Sequence, residues 1–260
     1  MSGAGSGERI LALLGLFSEA RPEWTPDEMM AETGYARPTL YRYLKALKEA
    51  GLVASLSGAT YTLGPRVVEL DFLMRRSDPL IEAGEPLLRD LSEAWPCTAL
   101  LVRWYGNRLL CVASECSAEN PKSSYPRGRP MPLARGAISR AILAYLPRRQ
   151  MQQKIAENLG ELSALGLGDT PEAVADTFRK VRRAGAAIAH GEVTPGVVGI
   201  AAPVFDAGHS PVAALCLTLA EDVATPDRRP DIARAVWRAG ERLSEQLAER
   251  GAPRAMETSA

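Results

Sequence analysis

The 260 residues are 46% hydrophobic and 24% charged, the balance of a folded globular chain rather than of a disordered or fibrous one. Lys and Arg total 31 and so do Asp and Glu, which excludes binding of polyanions through overall charge; any nucleic-acid site must be a local patch. Cys97, Cys111, Cys116 and Cys216 form no CxxC pair and have only His190 and His209 beside them, so no zinc site, other metal or cofactor is expected, and the thiols are predicted to be reduced and mostly buried. The start, MSGAGSGERI, lacks the basic and apolar regions of a signal peptide. The longest uncharged runs, Gly196 to Phe205 and Ser210 to Ala220, are too short to span a bilayer. A cytoplasmic protein without a membrane partner is expected.

Ile10, Leu13, Leu14 and Phe17 recur at helical spacing and predict a first helix over about Glu8 to Ser18, which Arg21-Pro22-Glu23-Trp24 breaks. Thr25 then precedes Pro26, Asp27 and Glu28, a helix start with an N-cap, proline in the first turn and acids at the positive end of the dipole. This second helix should stop at Gly34.

The third helix lies in YARPTLYRYLKALK, residues 35–48, which holds two Arg, two Lys and three Tyr but no carboxylate. At about 100° per residue, Leu40, Tyr43, Leu44 and Leu47 share one face, whereas Arg37, Tyr41, Lys45 and Lys48 share another with Arg42 at its margin. The first face is predicted to be core and the second a cationic stripe. Leu52 to Leu56, a turn at Ser57-Gly58-Ala59, and Thr60 to Leu63 then read as a hairpin. Three short helices followed by a hairpin predict a winged helix-turn-helix, whose third helix enters the DNA major groove.

From Pro65, Val67, Val68, Leu70, Leu73 and Met74 predict a linker helix, and Pro79 to Leu91 another helix closed near Trp95-Pro96. Ala99 to Trp104 and Arg108 to Ala113 read as strands joined by Tyr105-Gly106-Asn107. A Pro-rich loop, Ser117 to Pro132, leads to a helix over Leu133 to Leu146, and Arg148 to Leu159 and Pro171 to Ala184 follow as helices. Gly199 to Phe205 and Pro211 to Leu219 form a second hairpin of buried strands, and a helix from about Pro230 to Arg250 closes the chain. Without a βαβ rhythm, the second domain is expected to be α+β with an antiparallel sheet.

The chain resembles the IclR family of bacterial transcriptional regulators in four motifs taken in order. These are Thr39 to Leu47 with Glu49-Ala-Gly-Leu52, Tyr61 to Arg66, Pro132-Leu to Ala144-Tyr-Leu-Pro147, and Gly199-Ile-Ala-Ala-Pro-Val-Phe-Asp206. The resemblance implies a winged helix-turn-helix over 1–64, a linker helix over 65–78 and a GAF-like effector-binding domain over 79–260. It further implies a double-stranded DNA operator, a small-molecule effector, and assembly as a homodimer or dimer of dimers. DNA contacts are expected from Arg37, Thr39, Tyr41, Arg42, Lys45 and the wing residue Ser57.

The effector pocket implied by the resemblance lies between the helix near Arg135 and the late strands. Its positions are Ala137, Ile138, Val197, Gly199, Cys216 and Thr218. Cys216 and Thr218, two apart on a strand, point to one face. Cys216 and Thr218 stand where relatives that bind keto acids commonly carry Ser, and Gly199 lacks a side chain, so a less polar, roomier pocket is expected. The helix start near Gly136 offers backbone N–H groups to a carboxylate. Arg135 or Arg127 could add charge, and Trp104, Tyr105 or Tyr125 an aromatic wall. RGRPMPLARGA, residues 127–137, resembles regulators of aromatic-acid catabolism, which implies an aromatic acid or derivative as effector.

Two other readings compete. A redox sensor would draw on Cys111, Cys116 and Cys216, but apolar strand patterns around Cys111 and Cys216 oppose a reactive thiolate. An enzyme fused to a DNA-binding domain finds no GxSxG, GxxxxGK[ST] or HExxH here, so no catalytic residue is assigned.

Overall fold

The computed structural model describes residues 5–117 and 126–250. Tyr125, part of the Pro-rich loop and both termini lie outside the described residues. The chain divides into two compact units, one ending at Ser77 and the other beginning at Asp78.

In the first unit, α1 (Ser6–Ala12) is shorter than the expected helix and passes into a 3₁₀ turn at Leu14–Leu16. The chain is extended at Phe17, with ψ 127°, so the apolar spacing continues past the point where the helix stops. Helix α2 (Pro26–Thr33) opens with a reciprocal cap. The Thr25 hydroxyl accepts the Glu28 N–H, and the Glu28 carboxylate accepts the Thr25 N–H at 2.8 Å. Gly34, at φ 70°, ends the helix in the left-handed region.

Helix α3 (Arg37–Glu49) buries Leu40, Tyr43, Leu44 and Leu47, the four residues that the helical angles group together. With Leu13, Trp24, Met29 and Val53 they form the core of this unit. Strands β1 (Val53–Ser55) and β2 (Tyr61–Leu63) pair antiparallel as the wing. Trp24, which the sequence assigns only to a break, extends this sheet: its N–H donates to the Tyr61 carbonyl at 3.0 Å, and Tyr61 N–H returns the bond at 2.8 Å. Helix α4 (Pro65–Ser77) has no buried residue.

The second unit is built on a six-stranded antiparallel sheet in the order β5-β4-β3-β8-β7-β6. It follows α5 (Pro79–Ala94), whose N-cap Asp78 accepts the Leu80 N–H at 3.0 Å and is ion-paired with Arg103. Strands β3 (Cys97–Trp104) and β4 (Leu109–Cys116) make one hairpin, and β7 (Val197–Phe205) and β8 (Pro211–Ala220) another. They join where β3 meets β8. Two edge strands escaped sequence analysis: β5 (Pro130–Met131) and β6 (Ala187–His190). Two and four residues are too short to display a period.

All eight residues of β3 are buried, so its two faces must each be covered. Leu101, Ala99 and Cys97 pack with α5 and with α9 (Arg229–Glu249). The alternate residues Leu100, Val102 and Trp104 pack with α6 (Gly136–Leu143), α7 (Arg148–Ala164) and α8 (Pro171–Ala184). The result is three layers, helices on both faces of one sheet. Helix α9 lies so close to β7 that a Cβ on Gly240 would stand 2.7 Å from the Pro203 carbonyl oxygen, which explains a glycine in mid-helix.

Leu44 is fully enclosed in the first unit, so Leu44→Ala should lower stability by about 2 to 5 kcal/mol through lost burial and a residual cavity. Chemical denaturation of the purified chain measures this directly; a loss below about 0.5 kcal/mol would contradict the packing described.

Candidate functional site

Two surfaces carry the residues that sequence analysis singled out. On the first unit, Arg37, Tyr41, Arg42 and Lys45 are exposed on α3, Thr39 is half-buried, and Ser57 is exposed in the wing turn. The stripe is cationic but not bare. Arg37 pairs with Asp27 at 2.8 Å, and Lys45 approaches Glu49 at 3.9 Å. The Lys48 ammonium donates to Ser55 at 2.8 Å, and Arg42 lies over the Tyr43 ring at 5.4 Å. Both ion pairs have side chains more than 60% exposed; such pairs are worth at most about 1 kcal/mol and exchange readily for a phosphate.

On the second unit, a cleft opens between α6, β6, β7 and β8, with about 500 Å³ of empty space when its mouth is included. Its floor is a run of small side chains set by strand register. Gly199 on β7 stands between Ala189 on β6 and Thr218 on β8, and Cys216 follows two residues along. Met131, Pro132, Val193 and Val197 supply apolar walls, and Ala137 and Ile138 form the roof.

Helix α6 starts later than the periodicity implies, at Gly136 rather than Leu133, because Gly136 takes φ 83° and the chain bends over 133–135. A left-handed first residue turns the following amides toward the sheet: the Cβ position of Gly199 is 3.9 Å from the Ala137 nitrogen. The first amides of a helix have no partner within it. Gly136 N–H donates to the Glu192 carboxylate at 2.9 Å, whereas Ala137 N–H and Ile138 N–H find no acceptor among the described residues. Both residues line the cleft, so these amides are open to a group that enters it.

Glu192 was not legible in the sequence as a member of this cleft. It reaches the helix start from the turn between β6 and β7, and its carboxylate forms an ion pair with Arg140, one turn into α6. The two side chains are 12% and 8% exposed. Arg140 also donates to the Ile188 carbonyl at 2.8 Å, which ties α6 to β6. Removing one partner of such a buried pair typically costs about 3 to 5 kcal/mol, since the other charge is left uncompensated. Only the pairing of a loop acid with a helix cation 52 residues earlier in sequence reveals it.

Of the positions named from sequence, Arg135, Ala137, Ile138, Val197, Gly199, Cys216 and Thr218 all line the cleft. Trp104 does not. It is four residues along β3 from Leu100, the partner of Cys216, and therefore about 13 Å away at the rise of a strand. There it packs in the core under α6 to α8. Arg135 sits at the rim, about half exposed, in an ion pair with Glu161. Arg127 donates to the Val112 carbonyl, away from the lining residues. Tyr105 is likewise outside the lining. Thr218 is turned partly away, its hydroxyl donating to the Thr98 carbonyl at 3.2 Å.

Three of the four thiols, Cys97, Cys111 and Cys216, are buried and ill suited to redox chemistry, whereas Cys116 is exposed. All four cysteines are free, and burial pushes Cys97 up to about 12 and Cys111 up to about 11, with Cys216 raised further in the same direction. Among the described residues there is no cluster of three or more His, Cys, Asp or Glu placed to hold a metal ion, and no helix is long and apolar enough to cross a membrane.

Comparison with known proteins identifies this two-unit arrangement. Residues 6–57 match the IclR helix-turn-helix domain, and residues 74–245 match the C-terminal domain of bacterial transcriptional regulators of the IclR type. The transcriptional regulator KipR of Bacillus subtilis is 25% identical over 241 residues, covering 92% of this chain and 95% of its own. The Pca regulon regulatory protein of Pseudomonas putida is 26% identical over 209 residues, covering 80% and 71%. A solved putative IclR regulator from Silicibacter superposes with a TM-score of 0.80 at 27% identity, covering 98% of this chain and all of its own. An IclR homologue from Microbacterium hydrocarbonoxydans, solved with 4-hydroxybenzoate, has the same fold, with a TM-score of 0.77 at 18% identity over 94% of this chain and 99% of its own. With a helix-turn-helix in one unit and a cleft between helix and sheet in the other, the chain belongs to the IclR family of bacterial transcriptional regulators.

Proposed function

We propose that the protein is a cytoplasmic, ligand-responsive DNA-binding regulator of a catabolic operon, with a small aromatic acid or a derivative of one as its effector. The observation that carries the effector reading is the pair of amides at Ala137 and Ile138, which find no acceptor among the described residues and open on the cleft. A carboxyl or carbonyl oxygen would accept from both, as anions do at helix N-termini. A flat ring would lie over Gly199 and Ala189, where no side chain projects far from the sheet. The IclR homologue solved with 4-hydroxybenzoate favours the aromatic class.

On the DNA side, α3 would enter the major groove. Arg37, Thr39, Tyr41, Arg42 and Lys45 would meet phosphates or base edges, and Ser57 would touch the backbone from the wing. Two copies would read two half-sites. Helix α4 supports a homodimer or dimer of dimers, because Val68, Phe72, Leu73 and Met74 are all about half exposed or more, and a helix apolar on several sides is normally covered. Effector binding would then shift the balance between DNA-competent and incompetent geometries. No catalytic step is assigned, the relatives being regulators by name.

Arg42→Ala should weaken operator binding and lower the slope of log affinity against log salt by about one, without a matching loss of thermal stability. Fluorescence anisotropy across a salt series, beside a melting curve, separates the two effects. Aromatic acids or their derivatives that fit the cleft should raise the melting temperature by mass action and change operator affinity; ligand titration that leaves operator affinity constant would refute the coupling. The redox alternative predicts reactive thiols. The buried Cys97, Cys111 and Cys216 should instead resist iodoacetamide in the native protein near neutral pH, far below their raised values, as mapped by peptide mass spectrometry.

A further inference from the structure

The cleft holds one acid, Glu192, and its surroundings are matched to it. One carboxylate oxygen accepts the Gly136 N–H and the other faces the Arg140 guanidinium. Arg140 is buried behind it, held also by the Ile188 carbonyl, and its Nε has no hydrogen-bond partner. Arg135, the cation at the rim, is paired with Glu161. Each of these arginines therefore has its own carboxylate, and the amides left for a ligand at Ala137 and Ile138 are dipoles rather than charges. A carboxylate ligand would gain from those amides but would meet the Glu192 carboxylate beside them, on the neighbouring Gly136 N–H. A carboxamide would place its carbonyl oxygen on the same amides, and its NH₂ could donate to Glu192, whose two oxygens offer more acceptor sites than Gly136 and Arg140 use.

We propose that Glu192 sets the charge selectivity of the cleft: by cancelling Arg140, it lets the site take neutral aryl carboxamides as well as aryl carboxylates. This rests on the reading of the cleft as the effector site. Glu192 acts on ligand choice through Arg140 and through its own oxygens, so a change at either residue should alter the ratio of affinities between acid and amide.

The test is calorimetric titration of the full-length protein with matched pairs, benzoate against benzamide and 4-hydroxybenzoate against 4-hydroxybenzamide. In the wild type the two members of a pair should bind within roughly tenfold of each other. Glu192→Gln, which keeps an acceptor for Gly136 but leaves Arg140 uncompensated, should move the ratio toward the acid by roughly tenfold or more. The double variant Arg140→Gln with Glu192→Gln removes both charges and should return the ratio toward that of the wild type, whereas Arg140→Gln alone, which leaves Glu192 uncompensated, should move it toward the amide and serves as the second test where Glu192→Gln folds poorly. A wild-type preference for the acid exceeding roughly a hundredfold overturns the proposal, as does a ratio that neither single substitution, Glu192→Gln or Arg140→Gln, changes; in both cases the cleft still stands as the effector site. Failure of every pair to bind the wild type overturns the aromatic-effector reading, and this proposal with it.

Discussion

The pairing of β3 with β8 is the constraint from which the second unit follows. Seven successive residue pairs, from Cys97 with Leu219 to Arg103 with Ala213, join two hairpins that are separated by 80 residues of sequence, from Cys116 to Val197. Because side chains alternate along a strand, this register decides in one step which residues face α5 and α9 and which face α6. A slip of β8 by one residue would send Leu215 and Leu217 to the cleft side and bury Cys216 and Thr218 under the opposite helices. With both faces buried, neither arrangement could be tolerated halfway. The small-residue floor under α6 is thus a property of the register as much as of the residues in it.

The second layer of constraint is electrostatic. Helix α6 is short and nearly all buried, yet it carries Arg140 inside it and an uncapped start at Arg135, which makes no side-chain cap. Glu192 answers both problems, since a single carboxylate supplies the missing cap at Gly136 and the missing counter-charge at Arg140. The turn that bears it is pinned to the helix as a result, so the walls of the cleft are held in place by a polar contact and not by apolar packing alone. That arrangement leaves the Ala137 and Ile138 amides facing the cleft, without an acceptor among the described residues. The same logic governs the first unit in simpler form: Thr25 and Glu28 close the start of α2, Gly34 closes its end, and α3 is delivered with its leucines inward and its cations outward.

Local signals and long-range pairing contributed differently to what could be read in advance. Helices α2, α3 and α8 were legible nearly to the residue, since their caps and amphipathic faces lie within about a dozen positions of sequence. The hairpins β3–β4 and β7–β8 were legible for the same reason, through turns flanked by apolar runs. Strands β5 and β6 were not, because a two- or four-residue strand is defined by its neighbour and not by its own pattern. The early end of α1 and the late start of α6 also depend on context: apolar spacing continues past both boundaries, and only the backbone turn at Phe17 and at Gly136 marks them.

The sequence by itself determined the two-part organisation, the cationic stripe of α3 and, through a family resemblance, seven positions that line the cleft. Each of these depends on residues close together in the chain or on motifs quoted whole. Tertiary structure alone decided that Trp104 lies about 13 Å along its strand from the cleft, that Arg135 is occupied at the rim, and that Glu192 and Arg140 meet. Composition and periodicity carry no information about such meetings, because the distance between two buried charges is set by strand register and helix placement, neither of which is written in any local stretch.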